Sequence, residues 1–230
     1  MVNYKGKHVV ITGASGGMGK VLCKALANEG AKLSICAKDE AVMDFAKELS
    51  CEVFAKVVDI TNEAEVKSFF TEALSKHGEF YALANLAGLS IPGQISEMEE
   101  EAYDLMIDVN VKGTFLCCKY FAQKAADPAI IVNIGSMAAR NANGNAPIYC
   151  TAKAAVNMLS KGLRMQVGSK NIRVTTVNPG GADTSFWGTR TVDRTKLMQA
   201  EDVVEIILFV LKSNPSVQIY DIFFESSLRF

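Results

Sequence analysis

Short, almost unbroken apolar runs alternate with amphipathic stretches along the whole of this chain. The apolar runs fall at residues 8–12, 32–37, 52–58, 81–85, 129–134, 173–177 and 217–223, the amphipathic stretches at 17–28, 63–77, 101–125, 152–167 and 200–212. A half-exposed strand would alternate polar and apolar residues, whereas a continuous apolar run suits a parallel strand covered on both faces. Repeated strand–helix succession predicts a doubly wound, Rossmann-type α/β fold, a mostly parallel seven-stranded sheet with helices on both faces. No Pro-, Gly- or Ser-rich linker and no low-complexity tract breaks the pattern, so residues 1–230 are expected to form one domain. Ligands of such sheets bind beyond the carboxyl ends of the strands, at the point where the strand order reverses.

Charge and composition exclude several classes of function. With 24 Lys and Arg against 25 Asp and Glu, there is no basic field for nucleic acid or an acidic membrane. The apolar runs are too short to span a bilayer, and the polar residues 1–7 lead straight into a strand, unlike a signal peptide. Six cysteines (Cys23, Cys36, Cys51, Cys117, Cys118 and Cys150) form no C-x-x-C pair and read as reduced thiols of a cytoplasmic protein. With only His8 and His77, the chain is poorly supplied for a zinc site or a Ser-His-Asp triad, and no metal is expected.

The first apolar run ends in Thr12-Gly13-Ala14-Ser15-Gly16-Gly17-Met18-Gly19 and passes directly into a helical stretch. Glycines there permit close backbone approach, and a helix N-terminus offers free N–H groups to a pyrophosphate. The spacing G-x-x-x-G-x-G differs from the G-x-G-x-x-G of the standard dinucleotide fingerprint. The second run ends Cys36-Ala37-Lys38-Asp39. An acid at that end accepts from the ribose 2′-OH of NAD, whereas a cation suits the 2′-phosphate of NADP. Lys38 therefore favours NADP over NAD, with Asp39 read as a cap of the next helix.

Four polar residues in the middle of the chain point to chemistry: Asn110, Ser136, Tyr149 and Lys153. Tyr149 and Lys153 stand four apart on one predicted helix face. A neighbouring ammonium, helped by a positively charged nicotinamide, is expected to lower the tyrosine pKa from about 10 and let it exchange a proton near neutral pH. Ser136 follows the fifth run, where its hydroxyl can both donate to and accept from a substrate oxygen. Asn110 sits mid-helix despite a poor helix propensity, either holding a relay water or satisfying a local kink.

With these motifs the sequence resembles the short-chain dehydrogenases/reductases, in their compact single-domain branch. The resemblance is carried by Thr12-Gly13-x-x-x-Gly17-x-Gly19, by Asp59 with Ile60, and by Asn85-Leu86-Ala87-Gly88, where the family usually has N-N-A-G. Tyr149-x-x-x-Lys153 follows Ser136 by 13 residues, and Asn178-Pro179-Gly180-Gly181-Ala182-Asp183-Thr184 is similar to the family's P-G-x-x-x-T segment. The resemblance implies an NADP-dependent oxidoreductase that moves a hydride between nicotinamide and a small carbonyl or alcohol. Tyr149 would be general acid in reduction and base in oxidation, Lys153 would hold the nicotinamide ribose, Ser136 the substrate oxygen and Asn110 a relay water. Gly13, Ser15, Gly16, Gly17, Met18, Gly19, Lys38, Asp59, Ile60, Asn85, Ala87, Gly88, Pro179, Gly180, Ala182 and Thr184 would complete the cofactor site. The family's habit implies a homodimer or homotetramer through residues 113–125 and 152–167.

Substrate contacts are expected from Ser136, Met137, Tyr149, Phe186 and Trp187, the two aromatics forming either an apolar wall or loop packing. Arg190 and Arg194 are read as contacts to a substrate carboxylate or phosphate, or else as solvated charges. The ending differs from the glycine-rich one of acyl-carrier-protein reductases and is closer to members acting on small hydroxy acids, aldehydes and ketones. Phe223, Phe224 and Phe230 are expected at a subunit contact. The alternative is a non-catalytic dinucleotide-binding redox sensor or scaffold of the same fold.

Overall fold

The computed structural model describes residues 1–229. Strand β1 (His8–Thr12) turns through the glycines into α1 (Gly17–Asn28), followed by β2 (Lys32–Ala37), α2 (Ala41–Ala46), β3 (Val53–Val57), α3 (Glu63–His77) and β4 (Phe80–Asn85). The second half runs α4 (Glu100–Ile107), α5 (Gly113–Gln123), β5 (Ala125–Ile134), α6 (Pro147–Val167) and β6 (Ile172–Pro179). Two short strands, β7 (Ala182–Asp183) and β8 (Met198–Gln199), then lead into α7 (Ala200–Lys212) and β9 (Asp221–Phe224). Seven strands form one parallel sheet in the order β3-β2-β1-β4-β5-β6-β9. The order reverses between β1 and β4, which opens a crevice at their carboxyl ends.

Both faces of the sheet are covered, which is why the strands read as continuous apolar runs. Leu22 and Leu26 of α1, Phe45 of α2 and Val203, Ile207 and Val210 of α7 pack one face. Phe69 and Phe70 of α3 and Leu116 and Phe121 of α5 pack the other. Each such buried Leu or Phe contributes roughly 1.5–3 kcal/mol. Where local end signals are strong, helix bounds follow them. Asn62 accepts from the Ala64 and Glu65 amides to start α3, and Gly78, at φ 83°, stops it. Gln199 and Asp202 form a capping box on α7.

Three sequence expectations change. The stretch 101–125 is not one helix: α4 and α5 are joined by a π-helical segment, Asp108–Lys112, which holds Asn110. The last strand begins at Asp221 rather than 217. The residues before it are tied to β6 by a Gln218 side-chain bond to the Val174 carbonyl (3.0 Å) and a Thr175 hydroxyl bond to the Ile219 carbonyl (2.6 Å). Phe223 and Phe224 are half-buried within their own chain. Phe224 packs on the α1–α7 core, and the Arg140 guanidinium lies 3.8 Å from the Phe223 ring centre. Phe230 lies outside the described residues. Among those residues no helix is long and apolar enough to cross a membrane.

Candidate active site

The reversal crevice holds a cavity of about 420 Å³, in the range of small-molecule sites. One wall is the glycine turn. Gly13 adopts φ 66°, and a Cβ there would stand 2.7 Å from the Ala87 nitrogen. A Cβ on Gly19 would stand 2.2 Å from the Gly13 carbonyl oxygen, so the turn closes only with glycine at both positions. No side chain caps α1 and no acid occupies its first turn, so its N–H groups and positive end face the cavity unneutralised. This backbone cradle fits a dinucleotide pyrophosphate.

At one end of the cavity lie Ala37, Lys38, Asp39, Val58, Asp59 and Ile60. Lys38 pairs with Asp59 at 2.8 Å, with 70% of its side chain exposed. Burial works against the Asp59 charge, yet hydrogen bonds from Lys38 and Thr61 hold its pKa down at about 2. Asp39 stands one residue before Glu40, the N-cap of α2, rather than capping the helix itself: its Oδ1 accepts from the Ala41 amide (3.1 Å) and its Oδ2 from the Ser15 hydroxyl (2.8 Å).

At the other end the lining passes to Leu86, Ala87, Gly88, Leu89, Leu105, Val109, Thr184, Ser185 and Phe186. Behind Gly88 stand two buried polar side chains. Asn110 donates from Nδ2 to the carbonyls of Leu89 (2.9 Å) and Met106 (2.8 Å), while its Oδ1 is buried without a partner. A Cβ on Gly88 would lie 2.8 Å from that Oδ1 and 3.3 Å from Lys153 Nζ, so the missing side chain leaves a polar gap between them. The π-helical segment sets Asn110 there, its own carbonyl taken by the Thr114 hydroxyl (2.7 Å).

Pro147 opens α6 and places Tyr149 in its first turn, with Lys153 one turn later. Lys153 is 3% exposed, donates to the Ile134 carbonyl (3.0 Å) and sits 5.7 Å from the Tyr149 ring centre. Burial draws its pKa down to about 8. Burial pushes the Tyr149 pKa up to about 12, opposed mainly by a hydrogen bond with Ser136 and, less, by the Arg190 charge. The protein alone therefore holds Tyr149 as a phenol.

Ser136 accepts from the Ala138 amide (3.1 Å) at the end of β5, and its own amide donates to Asn178 Oδ1 (3.1 Å). Asn157 donates to the same oxygen (2.9 Å) and to the Lys153 carbonyl (3.1 Å). Asn178 thus ties Ser136 to the Lys153 helix. In the sequence Asn178 stands out only as the neighbour of Pro179, and Asn157, one turn beyond Lys153, carries no motif that marks it.

Several expected contacts lie away from the cavity lining. Asn85 donates to Asn133 Oδ1 (2.8 Å) inside the sheet, so its side chain ties strands together. Gly180 packs on Glu225, and the Ala182 carbonyl takes the Trp187 indole N–H (2.8 Å). Trp187 therefore packs the loop, while Phe186 lines the cavity with its ring 5.8 Å from that of Tyr149. Pro179, at the end of β6, Met137, in the turn after Ser136, and the four expected catalytic residues Asn110, Ser136, Tyr149 and Lys153 are also outside the lining, the last four standing behind Gly88 and Phe186.

A family model described as short chain dehydrogenase matches residues 7–195. The chain belongs to the short-chain dehydrogenase family. It is 30% identical over 229 residues to an uncharacterized oxidoreductase of Staphylococcus saprophyticus, covering 96% of this chain and 98% of that one. An uncharacterized oxidoreductase of Staphylococcus aureus is 30% identical over 225 residues, 94% and 95% of the two chains. The short-chain dehydrogenase/reductase of Serratia marcescens superposes with a TM-score of 0.91 over 99% of both chains at 24% identity. An alcohol dehydrogenase of Thermococcus sibiricus, solved with 5-hydroxy-NADP, gives 0.87 over 96% and 97% at 24% identity. Membership of the short-chain dehydrogenases makes this protein an NAD(P)-dependent oxidoreductase.

Proposed function

We propose that this short-chain dehydrogenase, acting as a single unit over residues 1–230, is an NADP-dependent reductase of small carbonyl compounds, and in reverse a dehydrogenase of alcohols. The observation that carries the reading is the buried Lys153 ammonium beside Tyr149, facing the unpartnered Asn110 oxygen across the gap at Gly88. A nicotinamide cofactor held by the glycine turn would supply the hydride for the carbonyl carbon. Tyr149 gives its phenolic proton to the carbonyl oxygen, and in oxidation it takes the proton back from the alcohol. Ser136 donates to the same oxygen, and Lys153 binds the ribose hydroxyls and favours the phenolate once the proton has left. Asn110 Oδ1 and Lys153 Nζ hold the water through which Tyr149 regains its proton.

The glycine turn from Gly13 to Gly19 would cradle the pyrophosphate, Asp59 and Ile60 would flank the adenine, and Ala87, Gly88 and Thr184, which line the cavity, would frame the nicotinamide half. Lys38, the cation among the described lining residues, binds the 2′-phosphate with Ser15 beside it. A second reading, NAD, is favoured by the Ser15–Asp39 hydrogen bond, which sets a carboxylate at the ribose end. Exposed Phe115, Met158 and Met165 on α5 and α6 support a homodimer or homotetramer. Six unpaired thiols support a reducing, cytoplasmic setting. Separate fluorescence titrations with NADPH and NADH test the reading. NADPH should bind at least tenfold more tightly; preference for NADH establishes the second reading, and no binding of either removes the activity.

A further inference from the structure

The loop between β7 and β8 carries two arginines that the structure treats differently. Arg194 pairs with Asp183, so its charge is compensated. Arg190 is half-buried and has no carboxylate partner among the described residues. Its Nε donates to the Trp187 carbonyl at 2.9 Å and its Nη2 to the Phe186 carbonyl. Its guanidinium carbon lies 5.2 Å from the Phe186 ring centre and 5.1 Å from that of Trp187. These contacts fix the plane of the group and occupy only its Nε–Nη2 edge. No described protein acceptor takes Nη1, so the Nη1–Nη2 edge remains for a ligand. The cation also lies close enough to Tyr149 to favour its ionised form, and Phe186 connects the two groups physically.

A partly desolvated guanidinium held rigid by aromatic rings and missing a counter-ion binds a planar carboxylate through two parallel N–H···O bonds. We infer that Arg190 sets substrate specificity by binding the carboxylate of a small carbonyl acid, or of the corresponding hydroxy acid, whose reacting carbon faces Tyr149. This rests on the oxidoreductase reading above and adds the substrate class to it. One uncompensated cation matches one negative charge. A phosphate dianion would need the second arginine, which Asp183 already neutralises. Phe186 meets the short carbon chain between the two polar ends.

The test uses short aldehydes and ketones bearing a terminal carboxylate, each paired with its methyl ester, assayed with NADPH and with NADH. The intact protein should show kcat/KM for acids above that for esters by roughly 10–100-fold, as for a charge-assisted hydrogen-bonded pair, chiefly through KM. Arg190→Gln should bring the acid-to-ester ratio near one, and Arg190→Lys, which keeps the charge and loses the fork, should give an intermediate ratio. Equal rates for acid and ester in the intact protein overturn the inference and leave the oxidoreductase reading standing. So does an Arg190→Gln variant that lowers both rates and keeps the ratio, the result of loop packing alone. Should Arg190→Gln not fold, the Lys variant and the acid-to-ester ratio of the intact protein decide. Reduction of no compound in either series removes the activity and the inference together.

Discussion

The two ends of the cofactor crevice are built on opposite principles. At the end proposed for the adenosine, Lys38 is paired with Asp59 and Asp39 with Ser15 near the surface, over a cradle made of backbone. At the catalytic end Lys153 and Asn110 are buried, one with its pKa drawn down to about 8 and the other with an oxygen left without a partner. Exposed pairs are worth little to folding and are easily exchanged, whereas buried polar groups lacking full partners cost stability. Substitution at the first end should therefore cost the fold little, and substitution at the second should change its stability.

The strongest test of that contrast is Tyr149→Phe. Loss of the phenolic proton should lower turnover about 10²–10⁴-fold with NADPH affinity kept within a few-fold. Unchanged turnover would move the chemistry elsewhere.

Lys153→Met should separate stability from activity. The folded pKa of about 8 lies below the ordinary 10.5, so folding opposes protonation. That cost is complete below pH 8, shrinks as pH rises, and is gone above 10.5. At pH 7 the variant should therefore gain up to about 2 kcal/mol in denaturant unfolding, a gain that fades toward pH 10.5, while turnover collapses. In the unaltered protein kcat/KM for reduction should fall above pH 8 as the ammonium is lost. A destabilised Lys153→Met protein at pH 7 would break the comparison.

Asn178→Ala tests whether the catalytic end depends on its supports. It leaves the Ser136 amide and the Asn157 side chain without their shared acceptor, and should cost about 1–3 kcal/mol of stability and lower kcat more than it raises KM. The smallest effect belongs to the adenosine end. Lys38→Ala should weaken NADPH binding about tenfold, leave NADH binding nearly unchanged, and move the unfolding midpoint of the cofactor-free protein little. A large loss of stability there would show the two ends to be less different than the geometry indicates.

Much of this architecture was legible along the chain. α3 spans 63–77 and α7 spans 200–212 as read, because Asn62, Gly78 and the Gln199–Asp202 pair are signals confined to a few neighbouring residues. The seven parallel strands were visible because cover on both faces makes each run apolar. Periodicity does not separate α4, the π-helical turn and α5 within 101–125, because the three follow one another without a break. Four-residue spacing shows that Lys153 shares a helix face with Tyr149, but not how far burial raises the tyrosine pKa.

The sequence by itself determined the order of strands and helices, the glycine turn, and the spacing that sets Tyr149 and Lys153 on one helix face. These depend on backbone freedom and periodicity within a few residues. Only the tertiary structure decided that Lys38 meets Asp59, that Asn178 joins Ser136 to Asn157, that Trp187 packs the loop while Phe186 lines the cavity, and that Arg194 is neutralised while Arg190 is not. A side chain's burial and partners come from segments brought together by folding, and one-dimensional spacing carries no measure of either.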